Sequence, residues 1–133
     1  MKRSEPLPAT RVLIVEDERH IVESLSFVLE REGFEVAAVE DGEAAIQRLR
    51  ASLPDILILD LMLPKVSGLE VLKIVRADPA LRALPVVVLT AKGRLQDRRM
   101  AEEIGVDAFM TKPFANTDVV EAVRRVADAA KTR

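Results

Sequence analysis

Short β-branched runs alternate along most of the chain with longer segments whose apolar residues recur at helical spacing. The runs are RVLIV from Arg11, FEVAAV, DILILD, PVVVLT and DAFMT. The intervening and following segments predict helices over about 18–32, 42–52, 68–77, 95–104 and 117–130. The spacing is clearest at Ile21, Leu25, Val28 and Leu29, and again at Val119, Val120, Val123, Val126 and Ala127. Gly33 and Gly105 stand where C-terminal caps belong, and Asn116 where an N-cap belongs.

VLIV, ILIL and VVVL are apolar at every position, so both alternating faces of those strands need cover. Strands buried on both faces are those of a parallel sheet between two helical layers. Strict alternation of strand and helix therefore predicts an open α/β sheet, which binds its ligands outside the carboxyl ends of the strands.

Those ends carry the candidate chemistry. The first strand runs into Glu16-Asp17, the third ends in Asp60, the fourth in Thr90-Ala91, and the fifth leads to Lys112-Pro113. Asp60 lies inside the otherwise apolar stretch PDILILDLMLP, and an ionised carboxylate there needs a partner, a hydrogen bond or a metal. Two carboxylates about 4 Å apart repel by roughly 4 kcal/mol at an effective dielectric near 20, so a cation or a raised pKa is required. Oxygen donors without histidine or cysteine suit Mg²⁺, Mn²⁺ or Ca²⁺, and few carboxylates with several waters suit Mg²⁺ best. With a hydroxyl and an ammonium alongside, the set fits a phosphoryl group. Asp60 would attack phosphorus, the metal and Lys112 would neutralise the equatorial oxygens, and Thr90 with a backbone N–H, that of Ala91, would donate hydrogen bonds.

Composition narrows the setting. The 133 residues, 49% hydrophobic, fit one domain. Lysine and arginine total 20 against 22 acids, giving a net charge of −2 with the basic groups dispersed, which argues against direct nucleic-acid binding. With no cysteine there are no disulfides or thiolate chemistry. No apolar stretch reaches the eighteen or so residues of a membrane span, and MKRSEPLPAT lacks a signal-peptide core. The expectation is a cytoplasmic protein with no membrane partner, a flexible lead-in over 1–10, a domain over 11–130 and a short tail over 131–133.

Four fragments in order, VLIVEDE, ILILDLMLPKVSG, VVVLTAKG and GVDAFMTKPF, carry a resemblance to the receiver domain of two-component response regulators. Each fragment alone is weak, and their order and spacing together are specific. The resemblance implies a flavodoxin-like five-stranded parallel sheet of order 2-1-3-4-5. It implies Mg²⁺ (or Mn²⁺) held by Asp17, Asp60 and the Met62 carbonyl, with Glu16 acting through a metal-bound water. Asp60 would take a phosphoryl group from a sensor histidine kinase or a histidine phosphotransfer protein. Thr90 would then move toward the phosphate and Phe109 turn inward, switching partner binding through the face of the fourth helix, fifth strand and fifth helix. Pro64 and Gly68 shape the loop after Asp60, and a cis Lys112–Pro113 bond is expected from the resemblance alone. Such a protein is a switch rather than an enzyme, limited to self-phosphorylation from small phosphodonors and autodephosphorylation.

Blander readings stand beside these. An acidic pair before a helix caps it, Thr90 fits any strand, Lys112 any loop, and Phe109 any core. His20, the single histidine, lies at the start of an amphipathic helix and reads as a surface residue; RLQDRRM reads as a solvated helix face. Ala108 and Ala122 stand where winged-helix regulators place charges that pair across a dimer, so a monomer or weak dimer is expected. Ending at Arg133, the chain reads as a stand-alone, chemotaxis-regulator-like receiver. The rivals are a Mg²⁺-dependent hydrolase with an aspartate nucleophile and a flavin-binding module. The hydrolase lacks its DxDxT, since the first strand gives EDE, and the flavin module lacks both a phosphate loop and Trp or Tyr. A degenerate receiver that binds partners without phosphorylation would lack site residues that are present here. Met62 and Lys92 flank the approach of hydrolytic water and are expected to tune the acyl-phosphate lifetime.

Overall fold

Each β-branched run forms a strand and each helically spaced segment a helix in the computed structural model, which describes residues 9–131. The strands are β1 (Arg11–Val15), β2 (Glu35–Val39), β3 (Ile56–Asp60), β4 (Val86–Ala91) and β5 (Ala108–Lys112). The helices are α1 (Arg19–Arg31), α2 (Gly42–Ala51), α3 (Gly68–Ala77), α4 (Leu95–Ile104) and α5 (Asn116–Lys131). All pairings are parallel, in the order β2-β1-β3-β4-β5. The chain therefore runs outward from β1 to β2, then crosses back past β1 to β3 and continues the other way, placing the topological switch between β1 and β3.

Strand alternation divides the core in two. Val12, Ile14, Ile56, Ile58, Val87 and Leu89 meet Leu25 and Leu29 of α1 and Val119, Val123 and Val126 of α5. Leu13, Val15, Leu57, Leu59, Val86 and Val88 meet Ala45 and Leu49 of α2, Val71, Leu72 and Val75 of α3, and Ala101 of α4. Every named strand residue is nearly or fully buried, as the doubly apolar strands required.

The helix ends mostly follow their capping residues. α1 closes in a Schellman turn: Gly33, at φ 94°, donates to the Glu30 carbonyl, and Phe34 donates to that of Leu29. Asp41 caps α2 by accepting from the Ala44 N–H at 2.8 Å, and Ser67 caps α3 by accepting from Glu70 at 3.2 Å. Asn116 does not cap α5. The carbonyl of Ala115 already accepts from Asp118 and Val119, so Asn116 is the first helical residue. At the other end α5 continues through Lys131, one residue into the stretch expected as a tail. Most of the expected lead-in lies outside the described residues, although the Thr10 carbonyl already accepts from Glu35.

Candidate functional site

The carboxyl ends of β1, β3, β4 and β5 meet at one edge. Glu16 extends β1 by one residue, donating its N–H to the Val39 carbonyl at 3.1 Å. Glu16 and Asp60 thereby continue the alternation of Ile14 and Ile58, which turns both carboxylates to the same side. In register, Asp60 lies opposite Leu89, Thr90 opposite Thr111, and Ala91 opposite Lys112.

Glu16, Asp60 and Thr90 are 0%, 2% and 3% exposed, whereas Asp17 is exposed at the rim. Carboxylate oxygens of Glu16, Asp17 and Asp60 lie within 4.8 Å of one another. The Lys112 ammonium reaches across from β5, with Nζ 3.0 Å from Glu16 Oε1, 3.0 Å from Glu18 Oε1 and 3.1 Å from Asp60 Oδ2. The other Asp60 oxygen, Oδ1, accepts from the Met62 N–H at 3.0 Å, and Glu16 Oε2 accepts from the Glu18 N–H at 3.1 Å. The Lys112–Pro113 peptide bond is cis.

Burial pushes the Glu16 carboxyl up to about 7; Lys112 and the Glu18 N–H pull it down, and the Asp60 charge adds to the rise. Burial by itself would lower the Lys112 pKa, but Glu16, Glu18 and Asp60 around the ammonium hold it above its usual range. Lys112 in turn lowers the pKa of Glu18. One ammonium thus faces several carboxylates, and Glu16 Oε1, although 3.0 Å from Lys112, is buried without an aligned hydrogen bond. An all-oxygen donor set of three clustered carboxylates, two of which share one ammonium, fits a hard divalent cation.

The loop after β3 is pulled tight against the site. Leu61 donates to the Leu89 carbonyl, and Gly68 donates to that of Leu61 at 3.0 Å. A Cβ on Gly68 would run into the Asp60 carbonyl and Leu61 Cα, so only glycine lets α3 start this close to Asp60. Pro64 lies in the connection between them. Phe109, on β5, is half-buried against the α2–α4 core, and the Arg98 guanidinium lies 4.7 Å over its ring. Glu18 was not anticipated as a site residue. Its signal was the third acid of EDE, placed at the N-cap of α1. Beside Lys112, a cavity of about 490 Å³ opens between α1 and the β5–α5 connection, lined by His20, Ile21, Ser24, Pro113 and Phe114. His20 itself is largely exposed, 3.8 Å from Glu18.

An open parallel sheet of order 2-1-3-4-5 flanked by five helices is a flavodoxin-like, CheY-like fold, and the acidic cluster sits where such folds bind ligands. The family model for the response regulator receiver domain matches residues 12–124, and the chain belongs to that family. It is 42% identical over 118 residues to the phosphate regulon transcriptional regulatory protein PhoB of Klebsiella pneumoniae, covering 89% of this chain and 52% of that protein. The chain spans about half the length of the curated relatives it matches. Among solved structures, the signal receiver domain of a signal transduction histidine kinase from Syntrophus aciditrophicus is 31% identical with TM-score 0.87, covering 94% of this chain and 95% of that one. A CheY-like receiver domain protein from Methanospirillum hungatei superposes with TM-score 0.88 at 23% identity, covering 94% and 98%, and speaks to the fold. Receiver domains are phosphoacceptor switches that bind Mg²⁺ at an acidic pocket and partner with histidine kinases or phosphotransfer proteins. No helix among the described residues is long and apolar enough to cross a membrane.

Proposed function

We propose that residues 11–130 form a receiver unit in which Asp60 accepts a phosphoryl group from a phosphohistidine of a sensor kinase or phosphotransfer protein. A carboxylate oxygen of Asp60 bonds to phosphorus, the phosphorus–nitrogen bond breaks, and its electron pair returns to the donor imidazole. Lys112 would balance charge on the transferred group, and Thr90 with the Ala91 N–H would donate hydrogen bonds to its oxygens. Asp17, Asp60 and the Met62 carbonyl would hold Mg²⁺ or Mn²⁺, with Glu16 acting through a water. The bound ion supplies neutralisation of phosphoryl oxygens that one ammonium does not complete.

Thr90 and Phe109 would carry the change to the α4–β5–α5 face, as a shift between two packings whose balance phosphate biases. Ala108 on β5 is half-buried and Ala122 on α5 is buried, so neither position offers a charge to a partner copy. A monomer or weak dimer in the cytoplasm, without direct nucleic-acid contact by this unit, is the form this reading takes. The curated relatives are about twice as long, so stand-alone action draws no support from them.

The observation that carries the reading is a carboxylate only 2% exposed at an open strand end, 3.1 Å from a lysine and within an acidic cluster. Intact-mass measurement after treatment with acetyl phosphate and Mg²⁺ tests it. A phosphoryl adduct forms on the wild type and not on Asp60→Asn; no adduct at any Mg²⁺ concentration sinks the reading.

A further inference from the structure

We infer that Arg94 is a positioning residue that lengthens the life of the acyl phosphate by holding Met62 across the β3–β4 side of the site. The inference rests on Asp60 being the phosphoacceptor. The site has two flanks. On the β1–β5 flank, Lys112 ties Asp60 to Glu16 and Glu18. On the β3–β4 flank, Asp60 ends β3 and Thr90 is the penultimate residue of β4, and the connections that follow these strands are joined by a second bridge. Arg94 Nη2 donates to Met62 Sδ at 3.1 Å.

Three features make this bridge more than a chance surface contact. Met62 is already tied to the phosphoacceptor, because its N–H donates to Asp60 Oδ1. Its side chain is 48% exposed, so packing alone does not hold it. Arg94 is itself anchored, with Nε 2.8 Å and Nη2 2.7 Å from Asp97 Oδ2 in the first turn of α4. A fork gripping one carboxylate spends little further conformational freedom in reaching the thioether. The chain Asp97–Arg94–Met62 thus ties the side chain of a residue whose backbone already serves Asp60 to the start of α4.

Hydrolysis of the acyl phosphate requires a water oxygen to bond to phosphorus while the phosphorus–oxygen bond to Asp60 breaks. The electron pair returns to the carboxylate and inorganic phosphate departs. A pinned Met62 narrows the approach for that water on the β3–β4 flank, whereas a freed one opens it.

The test uses the whole chain, phosphorylated with acetyl phosphate and Mg²⁺, stripped of donor, and followed by intact mass as the adduct decays. Arg94→Ala and Met62→Ala each shorten the lifetime by about threefold to tenfold, in the lower part of the range that coupling between neighbouring side chains spans. The double variant decays no faster than the faster single, because both remove one bridge. Arg94→Lys, which keeps a cation within reach of Asp97, is longer-lived than Arg94→Ala, a rescue that a packing role does not predict. An Arg94→Ala lifetime equal to or longer than wild type, single effects that multiply in the double variant, or a lysine variant no better than alanine overturns the inference. Absence of any wild-type adduct instead overturns the phosphoacceptor reading beneath it.

Discussion

Replacing Lys112 by alanine removes the one cation among the described residues that touches both buried carboxylates, and the consequence should depend on pH in a specific way. A pair at 3.0 Å has a gross attraction of roughly 5 kcal/mol at an effective dielectric near 20. The net cost of orphaning a buried partner is smaller, about 3–5 kcal/mol, and protonation limits it further. In the wild type the folded Glu16 pKa, about 7, lies above the ordinary 4.5. The stability this group contributes is therefore fully present below 4.5 and lost as pH rises through 7, a swing of about 3 kcal/mol. Without the ammonium, Glu16 titrates higher still. Below pH 6 it is protonated in both folded proteins, and the variant loses only the contacts to Asp60 and Glu18, about 2 kcal/mol. Above pH 7 the wild type ionises while the variant holds its proton, and the gap widens by up to about 1.4 kcal/mol per pH unit. We expect a destabilisation of about 2 kcal/mol at pH 6 and about 4 kcal/mol at pH 8.5. The assay is urea denaturation followed by far-ultraviolet circular dichroism, since the chain has no Trp or Tyr to report by fluorescence. A gap that is constant with pH, or below about 1 kcal/mol throughout, refutes the placement of Lys112 as the counter-charge of Glu16.

Three further outcomes follow from the same geometry. Because a cation at the acidic cluster favours ionised Glu16, apparent Mg²⁺ affinity should rise with pH by up to about tenfold per unit below pH 7 and level off above it; calorimetric titration with a flat profile counts against Glu16 as part of the metal site. Gly68→Ala forces a methyl group into the Asp60 carbonyl, so it should cost about 1–3 kcal/mol in denaturation and slow phosphoryl uptake from acetyl phosphate; a variant of wild-type stability and uptake would show that the close approach is dispensable. Arg98→Ala strips the cation from the Phe109 ring at an exposed position, costing about 0.5–1 kcal/mol and shifting the Phe109 ring resonances; unchanged ring shifts would mean that Arg98 does not set the environment of that aromatic.

The fold was legible because its strands are apolar at every position and its helices carry a sustained period. VLIV, ILIL and VVVL admit few structures other than strands covered on both faces, and the two cores found on either side of the sheet are that condition met. Asn116 stands inside α5 rather than at its cap for a local reason. Asparagine favours a capping position on average, but the Ala115 carbonyl took the opening hydrogen bonds one residue earlier, and no propensity scale weighs that competition. Gly68 was legible as a loop glycine, whereas its reason, the approach of α3 to the Asp60 carbonyl, emerges only once β3 and α3 are placed together.

The site itself divides along the same line. Glu16, Asp17 and Asp60 could be read from the sequence because each ends a strand or directly follows one, and strand ends share an edge in any parallel sheet. Glu18 and Arg94 could not, since both are charged residues next to a helix start, where capping and solvation explain them equally well. What separates them from ordinary surface charges is contact across the fold: Glu18 meets Lys112 from 94 positions away, and Arg94 meets Met62 from 32. Each closes one flank of the pocket, Glu18 with an ammonium already held by Asp60, and Arg94 with a thioether whose backbone already serves Asp60. The strand ends therefore carry the proposed chemistry, while residues at the helix starts contact the groups that flank it, Glu18 the ammonium and Arg94 the Met62 thioether. Substitutions at Glu18 and Arg94 are accordingly the places to look for changes in phosphorylated lifetime that leave Asp60 a competent acceptor.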